Sequence, residues 1–221
     1  MTALKQFLTF AKSQKFNIYA LRGYQNLPSH VATDLDIYAE EGELFRFISR
    51  FAQNNCPFNL QITDTRFGLV KLLVSRGTFS LEIDAVYTFR FAGLEYYDPK
   101  SLVENSIYDD KRHVYTPTNY DELTIFLLKE ILHNGRLPKR KVNYVHRLFE
   151  NYHYLPASLM SNASIEEIVR SVRKGNLSFQ KIRVNLILKL LKLNVSKFGI
   201  PLTCCNVLKH LVVKFTHQIR S

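Results

Sequence analysis

The sequence predicts an α+β protein: a mixed sheet with flanking helices, followed by a C-terminal helical region. Three observations predict it. The strand-like segments all precede Pro99. Their order with the helices, α-β-β-α-β-β-β, lacks the βαβ alternation of a doubly wound sheet. Beyond Pro99 the apolar residues recur at helical spacing. The change of character near residue 115 sets the expected domains, a mixed body over 1–115 and a helical domain with basic C-terminal helices over 116–221.

Each element has its own signal. Ala3–Gln14 carries Leu4, Phe7, Leu8, Phe10 and Ala11 at the spacing of one helix face. Asn17–Leu21 is a short strand, and Arg22–Thr33, with Gly23, Asn26, Pro28 and Ser29, is a loop. Asp34–Tyr38 alternates polar and apolar residues and reads as a strand. Glu41–Asn54 places Leu44, Phe45, Phe47, Ile48 and Phe51 on one helical face. Phe58–Asp64, Gly68–Val74 and Phe79–Phe89 are strands, with Arg76-Gly77 as the turn between the last two. Thr118 is placed to cap a helix over Asn119–His133 that Gly135 ends, and Pro138 opens another through about Asn151. Ser164-Ile-Glu-Glu167 reads as a capping box for a helix ending before Gly175. Phe179–Asn194 and Leu202–Ile219 complete the chain as two basic helices.

With 221 residues, 46% hydrophobic and 22% charged, the composition is that of a globular protein. Collagen-like, disulfide-scaffold and wholly disordered classes are excluded. The net charge of +11 points to a polyanionic partner: nucleic acid, an anionic membrane or a phosphorylated substrate. Residues 1–159 carry a net charge of +2, and residues 160–221 carry +9, with Glu166 and Glu167 as the only acids. Residues 160–221 are therefore the segment expected to meet an anionic membrane surface or RNA. Ile182, Leu186, Leu190 and Leu193 form a stripe flanked by Lys181, Arg183, Lys189 and Lys192. Leu208, Leu211 or Val212, Phe215 and Ile219 form another beside Lys209, Lys214 and Arg220. Such a pattern suits a helix lying on anionic lipid, and it is more commonly that of a helix docked with its apolar side on a core. Interleaved aromatics are sparse there, which gives single-stranded nucleic acid less support.

Cys56, Cys204 and Cys205 imply neither a disulfide framework nor a zinc site. The segment Met1–Phe16 lacks the unbroken apolar stretch of a signal peptide, and no apolar run approaches about 18 residues. The expected location is cytoplasmic, with peripheral attachment to the inner face of the membrane as the variant that the basic tail suggests. Walker, dinucleotide-binding and nucleophile-elbow motifs are missing, which leaves kinase, Rossmann and hydrolase readings without support.

The chemistry lies in the carboxylates. Asp34 and Asp36 stand two apart on one strand, so both side chains project from the same face. Asp is a poor strand former, which makes the pair conspicuous. Glu82 and Asp84 repeat the arrangement on a later strand, with Leu81, Ile83 and Ala85 opposite. If the two strands are neighbours, like charges converge and require a cation. Hard oxygen ligands favour Mg²⁺ or Mn²⁺ over Zn²⁺. Carboxylates that bridge two such ions suit phosphoryl or nucleotidyl transfer.

Gly23 at a strand-to-loop junction, Asp34 and Asp36 eleven and thirteen residues later, and Asp84 on another strand resemble the nucleotidyltransferase superfamily related to DNA polymerase beta. The wording Leu21-Arg-Gly-Tyr-Gln-Asn-Leu-Pro28 before Asp34-Leu-Asp-Ile is similar to a bacterial subgroup associated with cell-surface polysaccharide biosynthesis. The resemblance covers roughly residues 1–115. It implies a nucleotidyltransferase-like mixed sheet and transfer of an NMP from an NTP to a hydroxyl or phosphate acceptor, dependent on Mg²⁺ or Mn²⁺. It implies that Asp34 and Asp36 hold the metals, and that Asp84 completes a metal site and helps deprotonate the acceptor. Glu82 is the reserve ligand. The phosphate segment would be Arg22, Gly23 and Tyr24, with Arg66 and Lys71 as further phosphate partners by charge. Tyr24 stands where the family carries a serine, which leaves phosphate binding to backbone N–H groups and basic side chains. A toxin-type nucleotidyltransferase acting on tRNA, and a non-catalytic module that binds RNA or membrane, are the alternatives.

Overall fold

A computed structural model describes residues 2–31, 34–53, 56–151 and 159–220, with the side chains of 52–53 and 210–220 outside the description. The chain divides into two compact units. One comprises Met1–Thr88 and Pro99–Thr118, the other Phe89–Asp98 and Asn119–Ser221.

The first unit is built on a seven-stranded mixed sheet. In chain order its elements are α1 (Ala3–Ser13), β1 (Tyr19–Arg22), β2 (Asp34–Tyr38), α2 (Glu41–Gln53), β3 (Asn59–Arg66), β4 (Leu69–Arg76) and β5 (Phe79–Val86). The chain leaves this unit through β6 (Phe89–Phe91) and β7 (Leu94–Tyr97). It returns with α3 (Pro99–Asn105), β8 (Ile107–Asp109) and β9 (Val114–Thr116). The strands lie in the order β3-β4-β5-β2-β1-β9-β8. β2 runs parallel to β5 and β1 parallel to β9, and the other pairs are antiparallel.

Alternation sets the two faces of the sheet. Leu35 and Ile37 of β2, Val70, Leu72 and Val74 of β4, and Leu81, Ile83 and Ala85 of β5 enter one core. Leu4, Phe7, Leu8 and Ala11 of α1 and Leu44, Phe47 and Phe51 of α2 join them there. Phe10 of α1 lies edge-on to Phe51 of α2 at 5.3 Å, and Phe16, three residues past the end of α1, stacks on Phe47 at 4.1 Å. The residues between these apolar ones, Asp34, Asp36, Lys71, Glu82 and Asp84 among them, face the other way.

The second unit holds the β6–β7 hairpin and the helices α4 (Asn119–Asn134), α5 (Val142–Glu150), α6 (Asn162–Arg173) and α7 (Gln180–Arg220). α4 is buried on nearly every side, which explains its lack of a polar face. Its buried acids are hydrogen-bonded, Asp121 accepting from the Tyr97 hydroxyl and Glu122 from that of Tyr144. In α7, Gly199 departs from helical dihedrals (φ 76°, ψ 163°) and Pro201 follows it, so the expected pair of basic helices appears as two segments joined at a kink. Leu186 and Leu190 of the first segment are buried as expected, whereas Leu193 is 47% exposed. Of the stripe expected in the second segment, Leu211, Val212, Phe215 and Ile219 lie outside the described side chains.

Three local expectations are corrected. The chain after Pro99 is not helical throughout, because β8 and β9 form a three-residue edge ladder beside β1. Strands so short leave no period to read. The expected strand Phe79–Phe89 stops at Val86, and β6 pairs separately with β7. The cap of α6 is Ser161, whose Oγ accepts from the Ser164 backbone N–H at 3.3 Å, so the helix starts one turn before the capping box.

Candidate metal centre

The crossover through α2, β3 and β4 brings β5 alongside β2. Their register pairs Asp34 with Glu82 and Asp36 with Asp84. One carboxylate oxygen each from Asp34, Asp36 and Asp84 can be chosen so that all three lie within 4.8 Å of one another. Asp36 is 4% exposed, and Asp34 and Asp84 are half-buried. Glu82 faces the same way but is exposed and lies outside this close group. Three hard oxygen donors, one of them buried, form a donor set that fits Mg²⁺ or Mn²⁺.

Two cations flank the group. Arg22 places both Nε and Nη2 at 2.6 Å from Oδ2 of Asp36. Lys71 places Nζ at 3.0 Å from Oδ1 of Asp84, and that hydrogen bond raises the lysine pKa above its ordinary value. The contacts follow from register. Arg22, Asp36, Asp84, Lys71 and Asp64 are successive partners across β1, β2, β5, β4 and β3. A β-bulge between Ala20 and Arg22 turns Arg22 onto the acidic face; without it Leu21 would stand opposite Asp36. A second bulge, between Ile62 and Asp64, likewise sets Asp64 rather than Thr63 opposite Lys71. Asp64 in turn accepts from Nε of Arg66 at 2.7 Å. Arg66 is thus placed at the exposed end of β3, held by Asp64.

Gly23 has φ +80°, and a Cβ there would stand 2.4 Å from the Asp34 carbonyl oxygen. Only glycine lets the loop leaving β1 pass so close to the backbone of the acidic strand. Tyr24 is half-buried and packs against the hydrophobic core. The sequence thus named every member of the carboxylate group, but it named Arg22 and Lys71 as phosphate partners, whereas the structure pairs them with Asp36 and Asp84. The sequence did not reveal Asp64, whose place in the row depends on the second bulge.

No protein-family model and no curated protein matches the chain. Among solved structures, a crystal structure from H. pylori, provisionally named a nucleotidyltransferase, is similar at 12% identity and a TM-score of 0.45, over 96% of this chain and 93% of that one.

Proposed function

We propose that the protein is a divalent-metal-dependent nucleotidyltransferase, with the chemistry in residues 1–115 and docking in residues 116–221. The observation that carries this reading is the convergence of Asp34, Asp36 and Asp84 from two neighbouring strands to within 4.8 Å. The acceptor hydroxyl oxygen attacks the α-phosphorus of an NTP. The bond from that phosphorus to the bridging oxygen breaks, and pyrophosphate leaves with its electron pair. The hydroxyl proton passes to a carboxylate, assigned to Asp84; an ionised phosphate acceptor needs no such transfer. Bound Mg²⁺ or Mn²⁺ would supply Lewis-acid stabilisation of the phosphates and acidify the acceptor. Asp34, Asp36 and Asp84 would hold it, with Glu82 as the reserve ligand. The backbone at Gly23 and Tyr24, with Arg22, Lys71 and Arg66, would orient the triphosphate.

The likeness of Leu21–Pro28 and Asp34–Ile37 to the polysaccharide-associated subgroup supports a glycan acceptor. Isothermal titration with Mg²⁺ and each NTP tests the core of this reading. The wild type is expected to bind nucleotide in a metal-dependent manner and the Asp34→Ala/Asp36→Ala variant is not. Absence of metal-dependent binding by the wild type overturns it. Labelled NTP offered with phosphorylated sugars or with tRNA separates the glycan reading from the toxin-type one.

The surface of α7 supports a docking role on anionic lipid. Val184, Leu188, Leu191 and Val195 are 56%, 60%, 38% and 37% exposed, at successive spacings of four, three and four residues. They form a stripe on the side away from buried Leu186 and Leu190. Exposed Lys181, Lys189 and Lys192 flank it, and no acid follows Glu167. An apolar stripe with lysines along one side matches lipid, where both parts are satisfied; RNA uses only the charge, and a second copy of this helix would oppose it. Liposome flotation of the full chain is expected to show binding to phosphatidylglycerol-containing but not purely zwitterionic vesicles, lost in Leu188→Ser/Leu191→Ser. Equal binding by that variant, or salt-sensitive RNA binding without vesicle binding, refutes the assignment.

A further inference from the structure

The two cations beside the carboxylates are held there by the architecture of the sheet. Arg22, Asp36, Asp84 and Lys71 are consecutive partners across β1, β2, β5 and β4, and a β-bulge is used to bring Arg22 into that row. Lys71 interrupts the otherwise apolar run from Leu69 to Val74 at the position that faces Asp84. Each cation contacts a carboxylate that the metal would need, Arg22 with two N–H groups on Oδ2 of Asp36 and Lys71 with one on Oδ1 of Asp84. Cations placed only to meet a triphosphate would not require this engagement.

We propose that Arg22 and Lys71 are resident counter-cations of the carboxylate group. They neutralise Asp36 and Asp84 while no divalent ion is bound, and the ion competes with them for those oxygens. The inference rests on the metal-dependent reading given above. Its consequence is coupling. Two positive charges beside three carboxylates reduce the charge that attracts a metal, so the metal alone binds weakly. A triphosphate brings new anionic partners for Arg22 and Lys71, releases the carboxylates and strengthens metal binding. The reciprocal statement follows from linkage: metal strengthens nucleotide binding by the same factor.

The test is Mn²⁺ binding to the full chain, read from loss of the free-ion EPR signal, with and without a non-hydrolysable NTP analogue. Lys71→Met is the main variant, Arg22→Gln the second, and Lys111→Met an exposed control with the same loss of charge. The wild type is expected to bind Mn²⁺ weakly alone and at least about tenfold more tightly with the analogue. Lys71→Met is expected to tighten Mn²⁺ binding in the absence of nucleotide by about tenfold, from the removal of one charge a few ångströms from the ion, and to shrink the coupling. Lys111→Met is expected to leave both unchanged. Thermal unfolding supplies a readout independent of activity. Without metal Lys71→Met melts below the wild type, and saturating Mn²⁺ raises its melting temperature by more than it raises that of the wild type. If the wild type binds Mn²⁺ with nucleotide but neither variant binds the ion more tightly alone, the counter-cation role is overturned and the metal site stands. If neither the wild type nor the variants bind Mn²⁺ under any condition, the metal-dependent reading fails and this inference fails with it.

Discussion

Alanine at position 23 would probe how the loop after β1 is joined to the acidic strand. The added carbon would lie 2.4 Å from the Asp34 carbonyl oxygen, against an ordinary contact of 3.4 Å or more, so the loop or β2 must move by about 1 Å. The residue would also sit at φ +80°. The dihedral alone costs about 1–2 kcal/mol. Strain from the forced separation brings the expected loss to about 2–4 kcal/mol. Gly77, in the β4–β5 turn of the same unit, provides the control. Its φ is +57° and nothing lies within 4 Å of the position a Cβ would take, so Gly77→Ala should cost about 1 kcal/mol. In a chain of this size each kcal/mol lowers the melting temperature by about 2–4 °C. Calorimetry should therefore show a fall of about 5–15 °C for Gly23→Ala and about 2–4 °C for Gly77→Ala. Mn²⁺ binding should weaken only in the former, because only there is Asp34 displaced. Equal losses in the two variants would refute the argument from close approach.

Asp84→Asn keeps the shape of the side chain and removes its charge; NMP transfer should fall by about 10²–10³-fold with little loss of stability, measured by initial rates beside thermal melts. Glu43, whose pKa is raised by burial and then by Glu40, carries its folded-state penalty when ionised. Glu43→Gln should raise the melting temperature at neutral pH, and the gain should shrink as pH falls through the raised value and vanish below the ordinary carboxylate range. In α7, buried Asn194 accepts from the Glu95 backbone N–H and donates to the Glu95 carbonyl, both at 3.0 Å. Asn194→Ala leaves both backbone groups without these partners and should cost about 2–4 kcal/mol in denaturant unfolding.

The parts of this structure legible in the sequence are those set by local period. Leu4, Phe7, Leu8 and Ala11 repeat as a helix and Asp34, Asp36 and Asp84 alternate as strands, so α1 and the acidic face could be read residue by residue. What depends on register could not. Whether Arg22 or Leu21 stands opposite Asp36 turns on one extra residue between Ala20 and Arg22, and the sequence carries no mark of that bulge. Asp64 entered the charged row for the same reason. β8 and β9, with three residues each, exist because β1 offers them an edge, and nothing in their own pattern announces it. Lys71 did carry a signal, a charge within an apolar run, but its partner became visible only when β4 was paired with β5.

The positive charge of the chain thus falls into two populations under different physical control. Arg22 and Lys71 belong to the body whose net charge is only +2, and backbone register holds them within hydrogen-bonding distance of carboxylates. Lys181, Lys189 and Lys192 belong to the segment carrying +9 and stand exposed along one side of an apolar stripe. Salt distinguishes the two. At 1 M ionic strength the screening length falls to about 3 Å, which is enough to weaken docking by exposed lysines. The Arg22–Asp36 pair, in contact at 2.6 Å with a carboxylate side chain only 6% exposed, is screened far less. Raising salt should therefore release the protein from anionic vesicles while the coupling between Mn²⁺ and nucleotide persists. If the two declined together, the separation of docking charge from site charge would be wrong.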